Sequence, residues 1–83
     1  MARLFPNPAA NTATISMRFE KNEHVIINVV DIQGRDVIQT LEKNIQAGQQ
    51  QISFSTSRLN NGVYFVKLSY GKVATEFKLV VSH

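Results

Sequence analysis

The side chains that could do chemistry in this 83-residue chain are few: two histidines, six carboxylates and a scatter of serines, with no cysteine. A metal centre needs ligands brought together, and His24 and His83 would have to borrow carboxylates whose positions read as turns and outer strand faces. Nucleophilic catalysis needs a serine on a sharp elbow, whereas Ser16, Ser53, Ser55, Ser57 and Ser69 fall in strand-like alternation. A phosphate cradle needs clustered glycines, and the four glycines stand apart at 34, 48, 62 and 71, each at a turn signal. The absence of cysteine removes disulfides, thiolate chemistry and most zinc sites together. The sequence therefore reads as non-catalytic, with no metal ligands and no cofactor, and its function is to be sought in recognition.

Charge narrows the partners. The net charge is +3, and residues 1 to 57 are balanced, so the excess comes from Arg58, Lys67, Lys72 and Lys78 against Glu76. A nucleic-acid surface would show a denser basic patch with interleaved aromatics. Here the basic residues alternate with apolar ones, as on a solvated sheet face, and no nucleic-acid partner is expected. No run approaches the roughly 18 apolar residues of a membrane helix, so direct membrane insertion is not expected either. Pro6-Asn7-Pro8 interrupts the chain where the apolar region of a signal peptide would lie. The length implies a single domain over 1–83, with 1–5 as linker and 6–83 as the folded unit.

The elements that must position any recognition surface are strands. Ala13, Ile15, Met17 and Phe19 alternate with polar residues, a half-buried strand. Val25, Ile27 and Val29 share one side of the next segment, with Ile26 and Val30 on the other, as in a central strand covered on both faces for part of its length. Asp31 to Arg35 reads as a hairpin loop with Gly34 in the left-handed conformation, setting Asp31 opposite Arg35 and Val29 opposite Val37. The following strand is expected over about Asp36 to Leu41, then a polar connection from Lys43 to Gln49. A short strand from Gln50 to Ser55 follows, with Ile52 and Phe54 inward.

The last stretch is the most specific. A turn at Gly71-Lys72 of type II′ puts Tyr70 opposite Val73, Leu68 opposite Thr75, Val66 opposite Phe77 and Tyr64 opposite Leu79. One face of this hairpin is then nearly all apolar, and Lys67 meets Glu76 on the other. Val63, Phe65 and Val80 share that outer face with Lys67 and Lys78. It is either a docking surface or is covered by the Leu4-Phe5 lead-in. Short strands with turn signals and no helical periodicity define an all-β, antiparallel, immunoglobulin-like β-sandwich of six or seven strands. Asn60-x-Gly62-x-Tyr64-x-Val66 is similar to the tyrosine corner of such domains, which implies a Tyr64 hydroxyl bound to upstream backbone.

Pro6-Asn7-Pro8, Asp31-Ile32-Gln33-Gly34-Arg35-Asp36-Val37, Leu59-x-x-Gly62-Val63-Tyr64-x-Val66 and the terminal Lys78-Leu79-Val80-Val81 occur in that order over nearly the whole chain. Together they resemble the C-terminal sorting domain of the type IX secretion system of Bacteroidetes-type bacteria. That resemblance implies a non-catalytic secretion signal behind an N-terminal cargo domain. Such a signal is read in the periplasm by the outer-membrane translocon, and a sortase-like peptidase then removes it, leaving the cargo at the cell surface or secreted. It places the sorting motif on Gly62, Val63, Tyr64, Phe65, Lys78, Leu79, Val80 and Val81. Pro6, Asn7, Pro8, Asp31, Gly34, Arg35 and Leu59 are then structural motif residues. The competing classes are an adhesive or protein-binding module and an uncleaved docking domain of a secretion component.

Overall fold

Alternation along the chain becomes strands wherever the apolar residues recur at every second position. The computed structural model describes residues 2–83 and holds seven strands: β1 (Arg3–Phe5), β2 (Thr12–Phe19), β3 (Glu23–Asp31), β4 (Leu41–Ile45), β5 (Gly48–Ser55), β6 (Gly62–Tyr70) and β7 (Val73–Val81). They form a three-stranded sheet in the order β1-β2-β5 and a four-stranded sheet in the order β4-β3-β6-β7, with every strand pair antiparallel. This is the expected all-β sandwich.

The core lies between the sheets. Ala13, Ile15, Met17 and Phe19 of β2 and Ile52 and Phe54 of β5 face Val25, Ile27 and Val29 of β3, Val66 and Leu68 of β6, and Leu79 and Val81 of β7. Each of these side chains larger than Ala13, removed from water, contributes about 1.5–3 kcal/mol, so the paired inner faces are what hold the sheets together. At one end the ring of Phe19 meets that of Tyr70 edge to face, with centroids 5.2 Å apart.

The final hairpin has the expected register, with Tyr70 opposite Val73 and Tyr64 opposite Leu79. Gly71 has φ +55° and, among the described residues, none other than glycine has positive φ, which fits a type II′ turn with Gly71 in its first position.

The hairpin after β3 starts as expected and then departs. Asp31 and Arg35 face each other, Val37 N–H donates to the Val29 carbonyl at 3.0 Å, and Gly34 has φ +83°. The strand expected over Asp36 to Leu41 does not form; only an isolated bridge joins Val30 and Asp36. Regular pairing resumes with Ile27 opposite Leu41, three residues back on one strand but five residues on along the other. Two extra residues are thus accommodated between them. Consecutive Val37 and Ile38 both pack against the core, which a regular strand's alternation forbids, so the ladder breaks there. The strand instead occupies part of the expected polar connection, and Asn28 bridges the gap by donating to the Thr40 hydroxyl at 2.8 Å.

The lead-in also differs from expectation. Of the segment 1–5 read as linker, Arg3–Phe5 is strand β1, paired with β2, while Met1 lies outside the described residues. Leu4 packs inward beside Ile15, and Arg3 and Phe5 face out from the three-stranded sheet, with the guanidinium 4.9 Å from the ring centroid. The lead-in therefore does not cover the outer face of β6 and β7.

Candidate recognition site

Pro6 and Pro8 carry no backbone N–H and so cannot extend the β1 ladder. The chain turns away after Phe5, and Asn7 between them reaches the outer edge of β7. Its side-chain amide donates to the Lys78 carbonyl at 2.8 Å, and its side-chain oxygen accepts from the Val80 N–H at 2.9 Å. Ala9, fully buried, continues the cover: its N–H donates to the Val80 carbonyl at 2.8 Å and its carbonyl accepts from Ser82 at 2.9 Å. Residues 7 and 9 thus act together as a short parallel strand alongside the end of β7.

The corner before β6 lies beside it. The Tyr64 hydroxyl donates to the Asn60 carbonyl at 2.7 Å, as the tyrosine-corner pattern implies. Leu59 is buried, and its carbonyl accepts from His83 Nε2 at 2.6 Å, while the His83 N–H donates to Asn61 Oδ1 at 2.9 Å. His83 thus ties the segment after β7 to the corner. Gly62 pairs with Val81, and Tyr64 pairs with Leu79 on one side and Asp31 on the other.

Asp31 organises the adjoining turn. Its carboxylate accepts from the N–H groups of Arg35 and Gln33 at 3.0 and 2.9 Å and from Arg35 Nε at 2.9 Å. The Arg35 N–H, then that of Gln33, then the guanidinium hold the Asp31 pKa below the usual carboxylate value.

All four sequence motifs therefore meet at one end of the sandwich. The alternation of the strands divides their residues into two groups. Tyr64, Leu79 and Val81 are buried in the core, and Leu59 beneath the corner. Val63, Phe65, Lys78 and Val80 lie on the outer face, where a partner of the folded domain could touch them. Val63 is 36% exposed, but Phe65 is only half-exposed because it sits opposite Val30, which is itself buried on that face. Ile32, at the tip of the neighbouring turn, is 75% exposed and shares a shallow cleft with Val63, Asn61 and Arg35. Ile32 was not among the sequence-predicted site residues; an isoleucine at a turn tip between the polar Asp31 and Gln33 was the signal.

His24 lies elsewhere, on the outer face of β3, with Nδ1 2.8 Å from Asn44 Oδ1 and Nε2 2.9 Å from Glu42 Oε1. Among the described residues no three His, Cys, Asp or Glu side chains group as metal ligands.

A model of the family described as the secretion system C-terminal sorting domain matches residues 3–82 of the chain. No curated protein and no solved structure matches.

Proposed function

The chain belongs to that family of sorting domains, and we propose that it works as a folded, non-catalytic export signal of the type IX secretion system. In this reading the outer-membrane translocon reads the motif end of the sandwich while a cargo domain precedes residue 1. A sortase-like peptidase then cuts in the segment before β1, and the cargo passes from the periplasm to the cell surface or the medium.

The observation that carries this reading is the polarity of the fold. Asn7, Asp31, Gly62 and Lys78 gather at one end. Ala2 sits at the other, packed on the core and sharing a cleft with Met17, Tyr70 and Phe77 near the Gly71-Lys72 turn. Any polypeptide preceding it leaves away from the motif end, so a bulky cargo would not screen the signal. A cut before Arg3 would also spare the β1 ladder, which a peptidase needing extended substrate could not enter without local unfolding.

The test is a fusion behind a signal peptide and a neutral reporter, expressed in a bacterium with a type IX system. The reporter should reach the surface or medium, and should stay in the periplasm of a strain lacking the translocon. Deleting residues from Lys78 onward would abolish export but also removes the core residues Leu79 and Val81, so it cannot separate folding from reading. Ile32→Ser with Val63→Ser does separate them, because both side chains are exposed. That variant should melt like the parent and be exported poorly. Retention of the unmodified fusion in a competent strain would refute the sorting reading.

A further inference from the structure

The sandwich has four sheet edges, and three of them are blunted. Asn7 and Ala9 occupy the C-terminal part of the β7 edge. β1 is only three residues long, and β4 is a five-residue strand carrying Glu42 and Lys43. Short edges and charged edges resist pairing with another chain.

β5 has none of these devices. It runs for eight residues, pairs on one side only, with β2, and contains neither proline nor charge. Thr56 N–H donates to the Asn11 carbonyl at 2.8 Å, so by antiparallel alternation Phe54, Ile52 and Gln50 bond toward β2. The N–H and C=O groups of Gln49, Gln51 and Ser53 then point outward. Among the described residues no other element's backbone bonds to them.

Beside this edge lies a groove of about 520 Å³ lined by the apolar Val37, Ile38, Leu41 and Phe54 and by the basic Lys43 and Arg58. It exists because the four-stranded sheet loses its edge pairing between Asp36 and Leu41. Neither Lys43 nor Arg58 is in an ion pair among the described residues, where the ion pairs are His24–Glu42 and Asp31–Arg35.

We propose that β5 and this groove form a strand-addition site for an extended, acidic peptide segment with apolar residues at alternate positions. Main-chain bonds to Gln49, Gln51 and Ser53 would seat the segment, its inward side chains would enter the groove, and its carboxylates would meet Lys43 and Arg58. A second copy of this chain fits less well. Antiparallel pairing of two β5 strands would bring the same basic residues face to face across the axis. The site is distinct from the outer face of β6 and β7 and does not depend on the sorting reading.

The probe is a capped heptapeptide, Glu-Thr-Val-Thr-Val-Thr-Glu, whose valines and glutamates share one face of an extended strand, titrated into the isotope-labelled chain, with a control in which lysines replace both glutamates. The acidic peptide should bind saturably, slow amide exchange at Gln49, Gln51 and Ser53, and shift the resonances of Val37 and Ile38. The lysine peptide should bind about tenfold more weakly or worse. Ser53→Pro removes one outward N–H and leaves the backbone bonds to β2, losing only the exposed hydroxyl bond between Ser53 and Thr14, and should weaken binding about tenfold with little loss of folded structure. Should that variant not fold, Lys43→Glu with Arg58→Glu keeps the backbone intact and should reverse the preference between the two peptides. Equal binding of both peptides, shifts confined to the β6–β7 face, or no saturation would overturn the proposal. Protection of the β5 amides that rises with protein concentration alone would also overturn it, making a second copy the occupant.

Discussion

Asn7 caps Val80: the side-chain oxygen of one accepts the backbone N–H of the other at 2.9 Å, across 73 positions of sequence. With the amide of the same side chain donating to the Lys78 carbonyl, Asn7 offers β7 a donor and an acceptor as a neighbouring strand would. The motif at the start of the chain thereby closes the sheet edge made by the motif at its end. A β7 without this cover would be a longer unpaired edge of the kind that recruits other chains.

Asn7→Ala should therefore cost about 1 kcal/mol, the low end for two hydrogen bonds because both are open to solvent. Amide exchange at Val80 should accelerate more than at Leu79, whose pairing with Tyr64 is untouched. A chemical-denaturation curve and an exchange map check both parts, and unchanged exchange at Val80 would refute the cap.

Tyr64→Phe should destabilise the domain by about 1–2 kcal/mol, removing the part-buried bond from the Tyr64 hydroxyl to the Asn60 carbonyl. Asn60→Ser should cost at most about 0.5 kcal/mol, because the acceptor is backbone rather than side chain. Equal losses for the two variants in urea would show that the corner depends on the Asn60 side chain instead.

His24 has an oxygen acceptor at each ring nitrogen, and only the doubly protonated ring can donate to both. Asn44, then Glu42, accordingly raise its pKa above the usual 6.5. A raised folded pKa adds stability that is full below the unfolded value and fades as pH climbs through the folded one. NMR titration should find His24 above 6.5, with Asn44→Ala and Glu42→Gln each bringing it down. A midpoint at or below that value in the unmodified chain would contradict the geometry.

Asp31 acts with the opposite sign. Its pKa lies below the usual 3.8, so its contribution is full above that value and is lost as pH falls through the folded pKa. Asp31→Asn should lower the melting temperature at neutral pH and flatten the acid side of the stability profile. An Asn variant as acid-sensitive as the parent would place the acid response elsewhere.

Several features were legible from neighbouring residues alone. The final hairpin's register followed from Gly71 at a two-residue turn and from matching apolar faces. The inward set of β2 followed from alternation, and the Asp31–Arg35 turn from Gly34 and the opposed charges. Such features are decided by φ preferences and by a period of two, both carried within a few residues. The four motifs could be quoted from the chain, but their meeting at one end could not.

Contacts distant in sequence belonged to the tertiary structure. Val37 and Ile38 look like part of a strand until both must face the core, and that competition moved β4 to Leu41–Ile45. Phe65 reads as an outward anchor, yet Val30 beneath it makes it a partial cover. Pro6-Asn7-Pro8 reads as a lead-in, and only the proximity of β1 to β7 turns Asn7 into a cap. Local sequence determined the strands and their faces. The docking of one sheet on the other decided which edges close and which motif residues remain within a partner's reach, because burial depends on what lies opposite and not on what lies adjacent.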